Sequence, residues 1–168
     1  YQTQGLTFVP ADDWSSWSNN KQPLHFQVQL QVGVTEGTPP PAVTGDLAIT
    51  VQGIADKPLW DAGSTHQHYS TGEDSSGIAL NMKASLTDTD GSETLSYQIK
   101  WESGLGSLTL NGKVLQPGSN GLYTVTAGDI NKITVLTGKD YNGDIRLTAT
   151  PGSTEKSPGV SGQNKALG

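Results

Sequence analysis

The chain has 168 residues, of which 33% are hydrophobic and 15% are charged, and its 16 acidic and 10 basic residues give a formal charge of −6. This acidic balance argues against nucleic-acid binding, because contact with phosphates requires a basic surface. No apolar run approaches the roughly 20 residues of a transmembrane helix, so we expect no membrane insertion by this segment. The absence of cysteine excludes disulfides and thiolate metal sites.

Alternating apolar and polar residues, together with 21 glycines and 9 prolines, predict short antiparallel strands joined by tight turns. The predicted strands span residues 6–10, 24–32, 47–51, 78–86, 94–101, 122–125, 133–136 and 144–150, with a ragged strand and a polar turn in 59–77. Asn111 and Gly112 predict a hairpin within 107–115, because this pair is a strong signal for a tight turn. No segment has a sustained helical period, so the predicted fold class is all-β.

An internal repeat indicates two units. A short strand, an acidic loop with Trp14 and a strand from Leu24 are similar to a later strand, a loop with Asp140 and a strand from Asp144. We therefore predict closing strands of a preceding β-sandwich repeat in 1–52, a second repeat in 53–155, and a linker or tail in 156–168. Alternatively, the two incomplete parts complete one composite sandwich. Because the chain begins with Tyr1 rather than Met, we expect it to be part of a longer protein.

An acidic loop lies between the predicted strands 78–86 and 94–101. Asp88 and Asp90 are two residues apart, so an extended backbone directs them to the same side, and a turn can return Glu93 toward them. Such a group needs a counter-charge, which an oxygen-seeking cation such as Ca²⁺ supplies. The spacing differs from that of an EF-hand loop. A solvated turn is the alternative, because Asp, Gly and Ser are common turn residues.

Further sequence features occur together with this loop. They are the junction 54–58, the Glu73-Asp74 pair, the loop sequence LTDTDGSETL in 86–95, the turn 141–143 and the closing strand 147–150. Together they resemble the cadherin-like repeats of giant bacterial RTX adhesins. The resemblance covers about residues 47–155. The first 46 residues match only as the closing strands of a preceding repeat, and the tail from residue 156 does not match.

The resemblance implies an immunoglobulin-like (cadherin-like) antiparallel β-sandwich repeated in tandem, with Ca²⁺ held in loops at the junctions. It implies that Asp56 comes from the linker, that Asp88 and Asp90 come from the facing loop, and that Glu93 supports them. Glu73 would lie at the opposite end and serve the next junction. The implied function is a Ca²⁺-stiffened structural module of a secreted adhesin at the bacterial cell surface. Its partners would be neighbouring repeats, and it would support cell adhesion and biofilm formation.

Two other functions stay open. Trp14 and Trp17, in a polar loop, could bind a cell-surface glycan or peptide, or could fill a core. The sandwich could also be split by an inserted ligand-binding domain. His66 and His68 predict a surface pair rather than a transition-metal site, because His25 is in a different strand. The sequence has no nucleophile elbow, phosphate-binding loop or His-Glu-x-x-His motif, so we expect no enzyme activity.

Overall fold

The computed structural model describes residues 7–17, 21–31, 33–34, 36–73, 75–156 and 164–168. The strands in this part of the chain are β1 (Leu24–Leu30), β2 (Val43–Ile49), β3 (Leu59–Trp60), β4 (Ile78–Ala79), β5 (Ala84–Ser85), β6 (Glu93–Ser103), β7 (Gly106–Leu110), β8 (Lys113–Val114), β9 (Leu122–Thr126), β10 (Ile133–Thr137), β11 (Arg146–Glu155) and β12 (Lys165–Leu167). A 3₁₀ helix spans Ile130–Lys132. The all-β prediction is confirmed. None of the described segments forms a helix with the length and apolar character needed to cross a membrane.

Two four-stranded antiparallel sheets form the larger part of the fold. Their strand orders are β4-β10-β7-β8 and β12-β11-β6-β9. β4 and β5 are successive parts of one segment, of which the first pairs with β10 and the second pairs with β3. β1 and β2 form a separate two-stranded sheet, in which Leu24 lies opposite Ile49 and Leu30 lies opposite Val43. The antiparallel sheets are consistent with the predicted β-sandwich.

The core lies between the two four-stranded sheets. Tyr97 and Ile99 of β6 face Leu108 of β7 and Ile133 of β10, and all four side chains are buried. Each such side chain stabilises the fold by about 1.5–3 kcal/mol relative to an exposed position. Trp60 of β3 packs against Tyr97 with 5.8 Å between the ring centroids. The alternation of apolar and polar residues in β6 and β10 therefore arises because one face of each strand is turned toward the core.

One face of the β1–β2 sheet carries apolar side chains. The apolar residues occupy alternate positions in the strands, and alternate residues of a strand point to the same face. The exposed members of this face are Phe26, Val28, Leu30, Val43 and Leu47. Phe8 lies against Phe26 with 5.7 Å between the ring centroids. Among the described strands, β1 and β2 pair only with each other. This sheet is therefore not part of either four-stranded sheet.

Several predicted elements require correction. Residues 7–10 contain no strand, since Pro10 lacks a donor and no described strand pairs with them, while residue 6 lies outside the described residues. β11 does not end before Pro151 but continues to Glu155, because the nitrogen of this proline faces away from β6. Lys165–Leu167, expected in a linker or tail, pairs with Gly152–Thr154 as β12. Residues 157–163 lie outside the described residues.

We expect Tyr97→Phe to lower the free energy of unfolding by about 1–3 kcal/mol. The buried Tyr97 hydroxyl accepts a hydrogen bond from the backbone N–H of Ala84 at 2.9 Å, and phenylalanine leaves that donor unsatisfied. Urea unfolding followed by tryptophan fluorescence measures the loss. Tyr123→Phe is the matched control, because the Tyr123 hydroxyl makes no hydrogen bond to a described residue. Equal losses in the two variants would contradict the role of this hydrogen bond.

Candidate metal centre

The acidic loop between β5 and β6 is shaped by its own side chains. Oδ1 of Asp88 accepts a hydrogen bond from the backbone N–H of Asp90 at 2.8 Å, and Oδ1 of Asp90 accepts one from that of Ser92 at 2.6 Å. Gly91 has a φ of 80°, in the left-handed region that favours glycine. These turns reverse the chain, so that Glu93 begins β6 beside Asp88.

Three carboxylates converge at this end of the sandwich. Asp56, Asp88 and Glu93 each place one oxygen within 4.8 Å of the others. Asp88 and Glu93 are only 8% and 3% exposed, and Asp56 is half-buried. One Ca²⁺ ion, with metal–oxygen distances of about 2.3–2.6 Å, can span this separation. We call these residues the acidic triad, and they form a largely buried group that could bind a metal ion.

Glu93 is the most buried carboxylate of the acidic triad. Its Oε1 accepts a hydrogen bond from the backbone N–H of Asp56 at 2.5 Å, but its buried Oε2 has no hydrogen-bond partner among the described residues. Burial raises the pKa of Glu93 to about 7; the Asp56 N–H opposes this shift, and the negative charges of Asp88, Asp56 and Glu155 add to it. An unsatisfied buried oxygen costs about 1–3 kcal/mol, and more when it is charged. Oε2 is therefore positioned for a cation or a proton.

In the part of the chain that the structure describes, the acidic triad has no basic side chain as an ion-pair partner. Among the described residues, none of the ion pairs includes Asp56, Asp88 or Glu93. Lys156 is near the loop, but its Nζ donates to the backbone carbonyl of Gly91 at 2.8 Å. Carboxylates at such short range repel one another unless a cation or protons intervene.

Glu155 is a fourth carboxylate at this site, which the sequence interpretation missed. It is the last residue of β11, lies directly opposite Glu93 in the ladder, and is 7% exposed. The Ser92 hydroxyl lies 3.3 Å from Oε2 of Glu155 and 3.1 Å from Oδ2 of Asp88. A Cβ atom at Gly53 would lie 2.4 Å from Cδ of Glu155, so a larger residue at this position would displace the Glu155 carboxylate. Only the β6–β11 register could have identified Glu155.

Asp90 is not part of the acidic triad. Its Oδ2 accepts a hydrogen bond from the hydroxyl of Ser15 at 3.2 Å. Burial opposes ionisation of Asp90, but hydrogen bonds from Ser92 and Ser15 outweigh it and hold the pKa of Asp90 below its ordinary value. Asp90 therefore shapes the loop and contacts the N-terminal part of the chain.

The N-terminal part reaches the site through residues 13–16. The backbone N–H of Ser16 donates to the carbonyl of Val51 at 2.9 Å, and its hydroxyl accepts from the Val51 N–H at the same distance. Burial raises the pKa of Asp56, and the negative charges of Asp13 and Asp88 raise it further. Asp13 thus adds to the negative charge around the acidic triad.

Glu73 lies away from the acidic triad in the fold, although it is between Asp56 and Asp88 in the sequence. It is exposed in a turn, and it lines a cavity together with Tyr141 and Asp144, near the Ser103 end of β6. Glu93 stands at the other end of the same strand. Asp74 lies outside the described residues. The assignment of Glu73 to a further junction stays a prediction.

The other residues singled out in the sequence lie elsewhere. Trp14 and Trp17 are partly buried, and Nζ of Lys21 lies 4.2 Å from the centroid of the Trp17 ring. This ammonium group covers a ring face that a sugar or peptide would otherwise contact. His66 and His68 are exposed in the segment between β3 and β4, as expected for a surface pair.

Comparisons of the chain with protein-family models, with curated proteins and with solved structures give no match. The chemistry and geometry of the acidic triad are therefore what supports a metal centre.

Without metal, we expect the free energy of unfolding to fall as the pH rises from about 5 to about 8. The pKa of Glu93 is about 7 in the folded chain and near the ordinary 4.5 in the unfolded chain, so the folded state binds the extra proton in this range. That contribution is complete below the unfolded value and is lost as the pH passes the folded value. The pKa of Asp56 is also raised in the folded chain, so Asp56 likewise lowers the free energy of unfolding as the pH rises.

Urea unfolding at several pH values in the presence of a chelator measures this dependence. Saturating Ca²⁺ should flatten it, because the ion then replaces the proton at Glu93. A metal-free protein that becomes more stable between these pH values would contradict the assigned environment of Glu93.

Proposed function

We propose that the chain is a structural module in which the acidic triad binds Ca²⁺ and fixes the joint between residues 1–52 and the β-sandwich that follows. The observation that carries this proposal is the buried convergence of Asp56, Asp88 and Glu93 around an Oε2 atom of Glu93 that lacks a described partner. All the available ligands are oxygens, which favours Ca²⁺ or Mg²⁺ over transition metals. Ca²⁺ accepts six to eight ligands in flexible geometry, and Glu155 and nearby carbonyls can supply more.

The position of the acidic triad in the chain gives the ion a mechanical role. Asp56 belongs to the segment between β2 and β3, whereas Asp88 and Glu93 belong to the sandwich. Ser15, from the N-terminal part, contacts Asp90 in the same loop. Without a cation the carboxylates repel one another and loosen these contacts, and a bound Ca²⁺ turns the repulsion into attraction. The ion thereby stiffens the joint.

The strand arrangement supports an immunoglobulin-like sandwich. β3, the β4–β5 segment, β10 and β7 pair in the order of the A-B-E-D sheet of that architecture. β12, β11 and β6 pair in the order of its G-F-C sheet, and β8 and β9 are additional strands. The exposed apolar face of the β1–β2 sheet supports the interpretation of 1–52 as closing strands of a preceding repeat.

The biological setting of the proposal is a secreted, cadherin-like adhesin at the bacterial cell surface. Its support is the LTDTDGSETL loop on an acidic, cysteine-free chain of antiparallel strands. Extracellular Ca²⁺ modules have dissociation constants of about 10⁻⁴–10⁻³ M, so such a joint is loaded outside the cell and empty at cytosolic Ca²⁺ levels. A tandem row of stiff joints would hold a distal adhesive domain away from the cell.

Electron-spin distance measurements test the joint. Because the chain has no cysteine, labels at Gln27→Cys in β1 and Thr124→Cys in β9 are unambiguous. We expect millimolar Ca²⁺ to narrow the distance distribution between the labels. The same labels on an Asp88→Asn background should show no narrowing.

Calorimetric titration of the unlabelled chain separates two ways in which the proposal can fail. Binding without narrowing would overturn the mechanical role and leave the metal site in place. The absence of binding at about 10 mM Ca²⁺, well above the range expected for an extracellular module, would overturn both.

A further inference from the structure

Ser92 is a deeply buried polar residue beside the metal centre. Its exposed fraction is 1%, lower than those of Asp88 and Glu93 in the acidic triad. Its backbone N–H donates to Oδ1 of Asp90 at 2.6 Å, and its carbonyl accepts a hydrogen bond from the N–H of Lys156 at 2.7 Å. These two bonds fix the backbone of Ser92 directly before β6, so its hydroxyl is held inside the end of the sandwich.

The Ser92 hydroxyl lies between two carboxylates. Its Oγ atom is 3.1 Å from Oδ2 of Asp88 and 3.3 Å from Oε2 of Glu155. A hydroxyl group has one hydrogen, so Ser92 donates to only one of these two oxygens at a time. The hydroxyl therefore holds both carboxylates close together without balancing their two negative charges.

This contact connects Glu155 to the acidic triad. The oxygens of the triad converge within 4.8 Å of one another, and Glu155 is not one of that group. Its carboxylate is 7% exposed and lies against Gly53, so it has little room to turn away. Its negative charge is among the causes that raise the pKa of Glu93. Ser92 thus stands between the triad and a fourth buried carboxylate.

The number and the burial of these carboxylates determine which ion is preferred. Ca²⁺ takes six to eight oxygen ligands in flexible geometry, whereas Mg²⁺ takes six in a strict octahedron and usually keeps several water molecules beside one or two carboxylates. Asp88, Glu93 and Glu155 are 8%, 3% and 7% exposed, so retained water has little space beside them. A fourth carboxylate at such a centre therefore favours Ca²⁺ over Mg²⁺.

We propose that Ser92 is a positioning residue that determines the ion specificity of the metal centre. Its hydroxyl holds the carboxylates of Asp88 and Glu155 side by side, so that Glu155 joins the acidic triad in binding Ca²⁺ and the centre discriminates against Mg²⁺. This inference rests on the proposed function, because it requires an ion at the acidic triad. The buried Oε2 of Glu93, which has no hydrogen-bond partner among the described residues, independently calls for that ion.

Calorimetric titration of the full chain with Ca²⁺ and with Mg²⁺ tests the role of Ser92. Ser92→Ala removes the hydroxyl, and Ser92→Cys keeps a similar volume but offers only a weak S–H donor. We expect each variant to bind Ca²⁺ about 10–100-fold more weakly than the wild type, because outer-shell partners of metal ligands have effects of this size. Mg²⁺ binding, which needs fewer carboxylates, should change much less.

Ser96→Ala is the matched control for these variants. Ser96 is also in β6, and its hydroxyl donates to the carbonyl of Gly152 at 3.4 Å rather than to a carboxylate. Its loss should leave the affinities for both ions unchanged. A Ser96→Ala chain that loses Ca²⁺ affinity as strongly as Ser92→Ala would overturn the specific role of Ser92.

A double-mutant cycle with Glu155→Gln shows whether Ser92 acts through Glu155. Glu155→Gln alone should weaken Ca²⁺ binding and narrow the preference for Ca²⁺ over Mg²⁺. In the Ser92→Ala background the same change should cost much less, because the carboxylate is then no longer held beside the acidic triad. Equal losses in the two backgrounds would overturn the link between Ser92 and Glu155.

The titrations separate failure of this inference from failure of the proposed function. A wild-type chain that binds no Ca²⁺ overturns both. A wild-type chain that binds Ca²⁺ and Mg²⁺ equally well, or Ser92 variants that lose affinity for both ions by the same factor or for neither, overturn only the inference. Melting temperatures in a chelator check that each variant is folded. If neither Ser92 variant folds, Glu155→Gln decides, because an unchanged ion preference in that chain overturns the inference.

Discussion

Addition of about 10 mM Ca²⁺ to the metal-free chain should raise its melting temperature by about 5–10 °C. For a dissociation constant of about 10⁻⁴ M, the tight end of the range for extracellular modules, this concentration is about 100 times the dissociation constant and stabilises the folded state by about 2.7 kcal/mol. Each kcal/mol corresponds to about 2–4 °C for a chain of this size. The gain arises because the acidic triad is assembled only in the folded chain. Differential scanning calorimetry with and without a chelator measures it.

The variants Asp88→Asn and Asp90→Asn locate the ion. Asparagine at position 88 keeps an acceptor for the Asp90 N–H but removes a charge from the acidic triad, so the Ca²⁺-dependent gain should vanish. Asparagine at position 90 keeps the acceptor for Ser92 and removes a charge outside the triad, so most of the gain should persist. The double variant Asp88→Ala/Asp90→Ala should lose the Ca²⁺-dependent gain in melting temperature. It also lacks the carboxylates that accept the hydrogen bonds of the turn. A wild-type chain with no gain, or an Asp88→Asn chain that retains it, would contradict the proposed site.

Glu93→Gln should have the second large effect on stability. The variant should be more stable than the wild type without metal and less stable than the wild type with saturating Ca²⁺. Without metal at about pH 8, we expect the variant to be more stable than the wild type by about 1–3 kcal/mol. The amide oxygen can still accept the hydrogen bond from the Asp56 N–H, and the amide nitrogen can donate to a neighbouring carboxylate. With saturating Ca²⁺ the order should reverse, because the variant lacks one anionic ligand.

Chemical denaturation at two pH values measures the Glu93→Gln effect. At about pH 5 the metal-free difference should disappear, because Glu93, whose pKa is about 7, is then protonated in the wild type. Glu102→Gln is the control, since Glu102 forms a solvent-exposed ion pair with Lys100 and such pairs contribute about 0–1 kcal/mol. A Glu93→Gln chain that is less stable than the wild type without metal would show that the Glu93 charge has another partner.

Local signals in the sequence predicted the parts of the fold that depend on neighbouring residues. The alternation from Leu24 onward corresponds to β1, and the Asn111-Gly112 pair forms the expected turn with φ values of 50° and 77°. A two-residue turn with both φ values positive matches the twist of the strands that it joins. These features are decided by side-chain spacing and turn chemistry, so a single sequence is sufficient to predict them.

Features that depend on distant pairing were not predictable. β12 lies in a stretch rich in Gly, Ser and Lys, and its strand conformation comes from the partner β11 rather than from its own composition. The sequence predicts that the strand corresponding to β11 ends at residue 150, because it does not show which side of Pro151 lacks a neighbour. The ragged pattern of residues 61–73 and 75–77 reflects described segments that belong to no strand.

The sequence predicted some residues of the candidate site and missed others. Spacing identified Asp88 and Glu93, and the resemblance to cadherin-like repeats supplied Asp56. The same spacing placed Asp90 beside Asp88, but side-chain hydrogen bonds to the backbone turn it toward Ser92 and Ser15 instead. Glu155 escaped detection because only the β6–β11 register, across many intervening residues, brings it opposite Glu93.

The same long-range register determines when the metal centre can exist along the folding pathway. Asp56 and Glu93 are 37 residues apart, and the Ser92 and Glu155 side chains that meet beside them are 63 residues apart. Contacts of such separation form late and slowly, so an ion has no assembled site in the early chain. Ca²⁺ should therefore leave the folding rate nearly unchanged and slow unfolding. In kinetic terms, an ion bound at the proposed site would set the lifetime of the joint rather than the speed of its formation.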